Sequence, residues 1–447
     1  MPGNQTKSSS TSRRVWQLAW PTIISNLLFS TVGFLHIKIA SSLGTSAVAA
    51  VTTGHRVFFL VQAVLMGLSV ATTAAVARNW GADNIHRAEV VTWTSMALAI
   101  IVAILLSIGP LFFPELIAGA FGLDQETTLK AARFIFWLGL FNVFSALSMI
   151  LSTALRATGD VITPLWFLFF SSLSNVVCAY LLTNGSLGIP AMGVPGIALG
   201  GSAAAAVVTV LFVAVWWRDK FNLKPLKQAQ INVPAARQLI SIGLPSILEQ
   251  GFVQLAFLVF FAIVARYGTT AYAAYGIGIS LVSFSIVVGF AFGIAGATLV
   301  GQHLGAGQPD MAMKAGWRSL RMALVAMIVF SIVMALYAYE LAAFMIDDEE
   351  TIHLTATFIY VIAFCQPLMA VDFALSGALR GAGDTRYPLL ATIAGILLGR
   401  MLPSILFLSL GLSIYWILMV MIADYGIKAV LILVRYRSGK WMHLKLA

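Results

Sequence analysis

About a dozen apolar runs, each on the order of 20 residues, divide this chain almost from end to end. Inside a bilayer no water can satisfy a backbone N–H or C=O, so a run of that length must close its hydrogen bonds internally, as a helix. A membrane barrel would show short segments alternating apolar and polar residues, and these runs do not alternate. Charged residues make up 10% of the 447, and hydrophobic ones 60%. An ordinary soluble domain carries roughly 25% charged residues. The chain therefore reads as an all-α integral membrane protein.

The spans fall at about 16–40, 46–77, 89–111, 130–153, 163–184, 190–216, 238–264, 271–301, 314–338, 353–377, 387–409 and 412–434, twelve transmembrane helices in all. No small-residue cleavage site follows the first run, which reads as a retained helix rather than a signal peptide. The net charge of +10 is distributed by topology. Lys and Arg gather at the amino terminus, the even-numbered loops and the carboxyl tail, with a dense group at Arg218, Lys220, Lys224, Lys227 and Arg237. The odd-numbered loops hold only Lys130, Arg133 and Arg266, alongside Asp347, Asp348, Glu349 and Glu350. This positive-inside pattern puts both termini in the cytoplasm. It also accounts for the basic excess without a nucleic-acid partner. Cys178 and Cys365 lie inside apolar runs and read as small core residues.

The chain states one motif twice. Ala154-Leu155-Arg156-Ala157-Thr158-Gly159-Asp160 with Pro164 returns 224 residues later as Ala378-Leu379-Arg380-Gly381-Ala382-Gly383-Asp384 with Pro388. The same offset links Pro21 to Pro245, Gly44-Thr45 to Gly268-Thr269, and Gly81-Ala82 to Gly305-Ala306. Each repeat has six spans, so both copies enter from the same side. Their two six-helix lobes are then related by a pseudo-two-fold axis along the membrane normal. The expected division is a cytoplasmic tail at 1–15, an N-terminal lobe at 16–216, a cytoplasmic linker at 217–237, a C-terminal lobe at 238–434 and a second tail at 435–447. Arg156 and Arg380 would cap carbonyls left free at the ends of spans four and ten.

The stretch Leu375–Thr385 with Pro388, preceded by Gln366-Pro367, resembles the signature of the multidrug and toxic compound extrusion (MATE) transporters. Leu244-Pro245, Val300-Gly301-Gln302 and Gly193-Val194-Pro195-Gly196 point the same way, and the match covers nearly the whole chain. The resemblance implies outward transport of organic compounds driven by inward Na⁺ or H⁺. It also implies that Glu249 on span seven takes the place of an acid used for ion coupling. The chain departs from that pattern where His36 stands at the position of a span-one aspartate. Met369 stands where a span-ten acid would be, with Asp372 about one turn away.

An ionisable group at the bilayer centre costs roughly 3 kcal/mol or more, so each needs a partner or a task. Glu249 lies near mid-depth, where a carboxylate can carry a proton or bind Na⁺; Asp372 is its candidate second ligand. Arg400 lies at similar depth and could instead form a static pair with Glu249. His36 is either a direct proton site or a neutral hydrogen-bond donor between helices. Lys38 can snorkel to the headgroups, and Asp424 and Lys428 neutralise each other at i, i+4. Candidate substrate contacts are Asn26, Arg56, Asn175, Gln250 and Arg400.

The leading expectation is an efflux antiporter for drug-like, cationic compounds in a bacterial inner membrane. It would be monomeric, surrounded by lipid, and without a cofactor beyond the coupling H⁺ or Na⁺. A flippase-like or anion- or zwitterion-exporting relative with a basic cleft is the alternative. A membrane enzyme is disfavoured, because no paired-histidine metal motif, nucleophile elbow or phosphate-binding glycine loop is present.

Overall fold

The computed structural model describes residues 11–185, 188, 190–226 and 231–444, and every regular element among them is helical. Twelve helices are long and apolar enough to cross a membrane. They are α1 (Thr11–Ser41), α2 (Thr45–Gly81), α3 (Ile85–Phe112), α4 (Gln125–Thr158), α5 (Ile162–Asn184) and α6 (Val194–Trp217), then α7 (Val233–Ala265), α8 (Thr269–Gly305), α9 (Pro309–Leu336), α10 (Glu349–Gly381), α11 (Arg386–Ser409) and α12 (Ile414–Arg437). Most overrun the apolar limits read from sequence, because a helix continues through a polar turn wherever nothing breaks it. At 37 residues, α2 and α8 are about 55 Å long against a hydrocarbon core of about 30 Å, so they tilt or protrude. Two short helices, Pro114–Gly119 and Ala338–Met345, occupy stretches the sequence reading left as loops. Lys227, counted in the basic pattern, lies outside the described residues, as does most of the amino-terminal tail.

The repeat is built from matched backbone devices. Gly159 and Gly383 adopt left-handed φ values of 101° and 91°. Each allows the next residue to reach back and close the helix end, Asp160 N to Leu155 O at 3.1 Å and Asp384 N to Leu379 O at 2.9 Å. At the opposite helix ends, Asp124 and Asp348 accept from the amides of Thr127 and Thr351 at 3.0 and 2.9 Å, N-caps for α4 and α10. Packing repeats as well. Gly54 lies flat against the ring of Phe134, and Gly278 against that of Phe358; a Cβ at either glycine would enter the ring.

The chain forms two compact units. Among the described residues, one contains those of Ile24–Trp80 and Asn84–Ile247; the other contains those up to Ile23, Gly81–Asp83 and those from Leu248 onward. Both α1 and α7 therefore change unit part-way along, at points 224 residues apart. Each switch lies two residues beyond a proline, Pro21 or Pro245, which removes one hydrogen bond from the helix ladder.

In the first unit, Ala47, Ala50, Val51, Phe134, Ile135, Ala179 and Ile197 form a core among α2, α4, α5 and α6. Past α6, Trp216 Nε1 donates to Leu223 O at 2.9 Å, which folds the start of the linker back on the helix. In the second unit, α8 and α10 touch backbone to backbone where Gly377 and Gly381 meet Gly293 and Ala297. Small residues at i, i+4 let transmembrane helices touch in this way. Met334, Ala338, Ile352, Ala356 and Ile359 form a separate core cluster. Residues 395–401 of α11 form a π-helical segment whose glycines, Gly395 and Gly399, lie against Asp424 and Lys428 of α12.

Candidate functional site

Six ionisable side chains gather inside the spans of the second unit. Glu249 on α7 is 5% exposed, and its Oε1 accepts from Arg380 Nη2 at 2.7 Å and from Thr392 Oγ1 at 2.9 Å. Arg380 comes from the second copy of the repeated motif, at the end of α10. Four residues before it is Ser376, and four before that is Asp372, so the three share one face of α10. Ser376 Oγ donates to Asp372 Oδ1 at 3.1 Å. The charges of Lys428, Arg380 and Glu249 all act on Asp372, but among the described residues no cation bonds to it directly.

Arg400 and Lys428 share the third carboxylate, Asp424. Lys428 Nζ is 2.9 Å from Asp424 Oδ1, and Arg400 Nη2 pairs with Oδ2. The π-helical segment carries Arg400, and the missing side chain at Gly399 lets α12 come close enough for the pair to form. Phe257, Phe260 and Tyr425 present ring faces to the guanidinium at 5.6–5.9 Å from their centroids. With every group charged, three cations face three anions and the cluster is neutral. One added cation would unbalance it.

These pairings differ from the sequence reading in two ways. The static partner of Glu249 is Arg380, not Arg400, whose charge is already met by Asp424. Arg380, read as a cap on its own helix end, reaches inward to a carboxylate. The expected Asp424–Lys428 pair is present, with Arg400 as its third member.

The other candidates lie apart from this cluster. His36 on α1 is buried, with Nε2 2.7 Å from Asn175 Oδ1 on α5 and Nδ1 3.3 Å from His55 Nε2 on α2. Lys38 and Arg56 are exposed, and Arg56 has no hydrogen-bond or charge partner among the described residues. Asn26 and Gln250 are half-buried. Asn142 donates to Ala103 O and Ser107 Oγ, at 3.2 and 3.3 Å, beside a small cavity lined by Gly54, Pro110 and Gly139. The sequence reading missed Thr392 and Ser376, hydroxyls too common in membrane helices to stand out. It gave no role to His55, whose ring centroid lies 5.4 Å from that of His36.

As a possible Na⁺ site, the residues offer two oxygens without a hydrogen bond, Glu249 Oε2 and Asp372 Oδ2. Hard cations take oxygen ligands of this kind. Among the described residues, no group of three or more His, Cys, Asp or Glu side chains is arranged to hold a metal ion.

A family model described as MatE matches residues 21–181 and 245–406. A probable multidrug resistance protein NorM from Thermotoga maritima is 27% identical over 438 residues, covering 95% of this chain and 92% of that protein. The multidrug resistance protein NorM of Burkholderia vietnamiensis is 28% identical over 395 residues, covering 85% and 83%. Among solved structures, a MOP superfamily transporter from Pyrococcus furiosus, described as having a binding pocket of reverse polarity, gives a TM-score of 0.89. Its identity is 19%, over 98% of this chain and all of that one. The Vibrio cholerae MATE transporter VcmN in the bent form gives 0.86 at 18% identity, over 97% and 98%. At such identities the two structures establish a shared fold.

Proposed function

The chain belongs to the MatE family of transporters, and from that premise we propose that it exports organic compounds from a bacterial cell in exchange for inward H⁺ or Na⁺, by alternating access. It would sit in the inner membrane with both termini in the cytoplasm. The observation that carries this reading is the balanced charge cluster around Glu249, Asp372 and Arg380. A proton or Na⁺ arriving at Glu249 or Asp372 gives the cluster a net positive charge and competes with Arg380 for Glu249. A cationic substrate nearby would then be repelled, so ion and substrate exclude one another. Such exclusion gives exchange when it is paired with different affinities in the two states of the transporter. Names given to the relatives, multidrug resistance proteins, support drug-like substrates.

One observation favours a second reading, an anionic or zwitterionic substrate. Apart from Glu89 and Glu126 near helix starts, α1–α6 contain no carboxylate, while Arg56 is exposed and unpaired. Uptake into inverted membrane vesicles under an imposed pH or Na⁺ gradient separates the two. Tetraphenylphosphonium would accumulate with wild type, and the gradient would no longer drive it with Glu249→Gln or Asp372→Asn. Undiminished driven uptake in both variants would refute the coupling role. If only an anionic dye moves, and Arg56→Ala stops it, the substrate is an anion.

A further inference from the structure

His36, His55 and Asn175 form a hydrogen-bonded chain inside the unit of residues 24–80 and 84–247, with directions fixed by the atoms at its end. The oxygen of an amide only accepts, so the 2.7 Å contact with Asn175 Oδ1 places the proton of neutral His36 on Nε2. His36 Nδ1 is then a lone pair, and the 3.3 Å contact requires His55 to donate from Nε2. Among the described residues nothing donates to the one remaining ring nitrogen of the chain, Nδ1 of His55, whose lone pair is free. It points toward Gly33 on α1, where even an added Cβ would stay 4.0 Å away. Gly201 leaves room for the Asn175 amide, since a Cβ there would fall 2.7 Å from Oδ1.

We propose that His55, through Nδ1, is the proton-accepting group of this unit, with His36 as its hydrogen-bonded neighbour and Asn175 as the group that sets the direction of the chain. The proposal rests on the H⁺-exchange reading above and gives that reading a second proton site. Uptake moves one proton from water to Nδ1, breaks no bond in the protein and adds one positive charge. The resulting imidazolium still donates from Nε2 to His36, so the chain survives. Protonating His36 at Nδ1 would instead point two N–H donors at each other across 3.3 Å. The groups facing the histidine pair are Gly33, Asn175 and Phe134, the last meeting the His55 ring edge-on with centroids 5.4 Å apart. Of the nearby cations, Lys38, Arg56 and Arg133 are all exposed, and none contacts either ring.

The test uses full-length protein with ¹⁵N-labelled histidine in lipid nanodiscs. The six histidines are assigned from single His→Gln variants, and their ring nitrogens are followed by NMR from alkaline to acidic pH. His36 and His55 should both start with the proton on Nε2, and His55 Nδ1 should titrate first. In His36→Gln, whose amide can still donate to Asn175 and accept from His55, the His55 titration should persist. A His55 carrying its proton on Nδ1 at alkaline pH, or a His36 that titrates ahead of it, overturns the proposal. In inverted vesicles, His55→Gln should lose the pH dependence of proton-driven tetraphenylphosphonium uptake while the other histidine signals stay in place; an unchanged pH profile also overturns it. Should wild type move no tetraphenylphosphonium under a pH gradient, the exchange reading fails for that probe, and the NMR titration still decides the role of His55.

Discussion

Replacing Asp424 by Asn should be among the most damaging single changes in the molecule. The side chains of Arg400, Asp424 and Lys428 are 3%, 0% and 6% exposed, so solvent screens none of the three. Asparagine keeps the shape of aspartate and removes its charge, leaving two buried cations side by side with no anion bonded to either. Breaking a buried pair from one side costs about 3–5 kcal/mol, mostly because the remaining charge is stranded. Here two are stranded, so the upper part of that range is expected. Lys428→Met should cost far less, since it leaves Arg400 and Asp424 as a one-to-one pair and keeps the apolar stem of the lysine. The double variant Asp424→Asn/Lys428→Met strands only Arg400 and should recover part of the loss, with a coupling energy of about 1–3 kcal/mol. Thermal and SDS-induced unfolding of the purified protein and its variants would read these differences. The reasoning fails if Asp424→Asn costs no more than Lys428→Met, or if the double variant equals the sum of the singles.

Two further predictions concern the repeat. Gly54→Val and Gly278→Val should destabilise to a similar degree, since each drives a side chain into a phenylalanine ring at a matching place; overpacking of this kind costs typically about 1–3 kcal/mol. A large difference between them, measured by thermal unfolding, would show that the packing is not equivalent. Hydrogen bonds from Thr127 and Thr351 hold the exposed carboxyls of Asp124 and Asp348 below the usual aspartate range. A lowered folded-state pKa contributes stability above the unfolded pKa and loses it as pH falls through the folded value. The Tm difference between wild type and Asp348→Ala should therefore be flat near neutral pH and shrink only in acid; a difference that grows on acidification would contradict the cap.

Position along a span was readable in the sequence, because it follows from counting residues at about 1.5 Å each. Counting put both Glu249 and Arg400 near the middle of their spans, where their helices place them, and the twelve helices and the repeat followed from the apolar runs and the constant offset. Partnership was not readable, because it depends on which face of each helix turns toward which neighbour. Asp424 and Lys428 could be paired in advance only because both lie on one helix. Arg400 escaped that logic: it sits in a π-helical segment, where the wider turn shifts the face on which a side chain emerges. Arg380 reads as a cap on its own helix end, but a long side chain stacked above Ser376 and Asp372 can reach inward to Glu249. The change of unit at Ile23 and Ile247 has a sequence correlate in Pro21 and Pro245, though a proline alone does not say which neighbours a helix leaves.

The two copies keep the same backbone devices yet exchange their polar groups, and the exchange follows from packing. The glycine turns, aspartate caps and glycine–phenylalanine contacts recur because each copy must fold through them. Charges recur less often, since an ion inside a membrane is retained only where it has a partner or a task. Position 25 is Ser where its counterpart is Glu249, so Arg156 has no carboxylate there and donates instead to Thr153 Oγ1 at 3.4 Å. The crossing of α5 with α6 and that of α11 with α12 show the rule most directly. In the first, Asn175 projects from α5 toward Gly201, beside Gly200. In the second, the counterpart of Asn175 is Gly399, which lies against the backbone of Asp424, itself the counterpart of Gly200, and the Asp424 carboxylate projects from α12 toward Gly395. In each crossing a polar side chain lies opposite a glycine of the facing helix, Asn175 opposite Gly201 and Asp424 opposite Gly395, and which helix supplies it differs between the copies. The same helix pair thereby holds a neutral amide set against a histidine in one copy and a carboxylate set between two cations in the other.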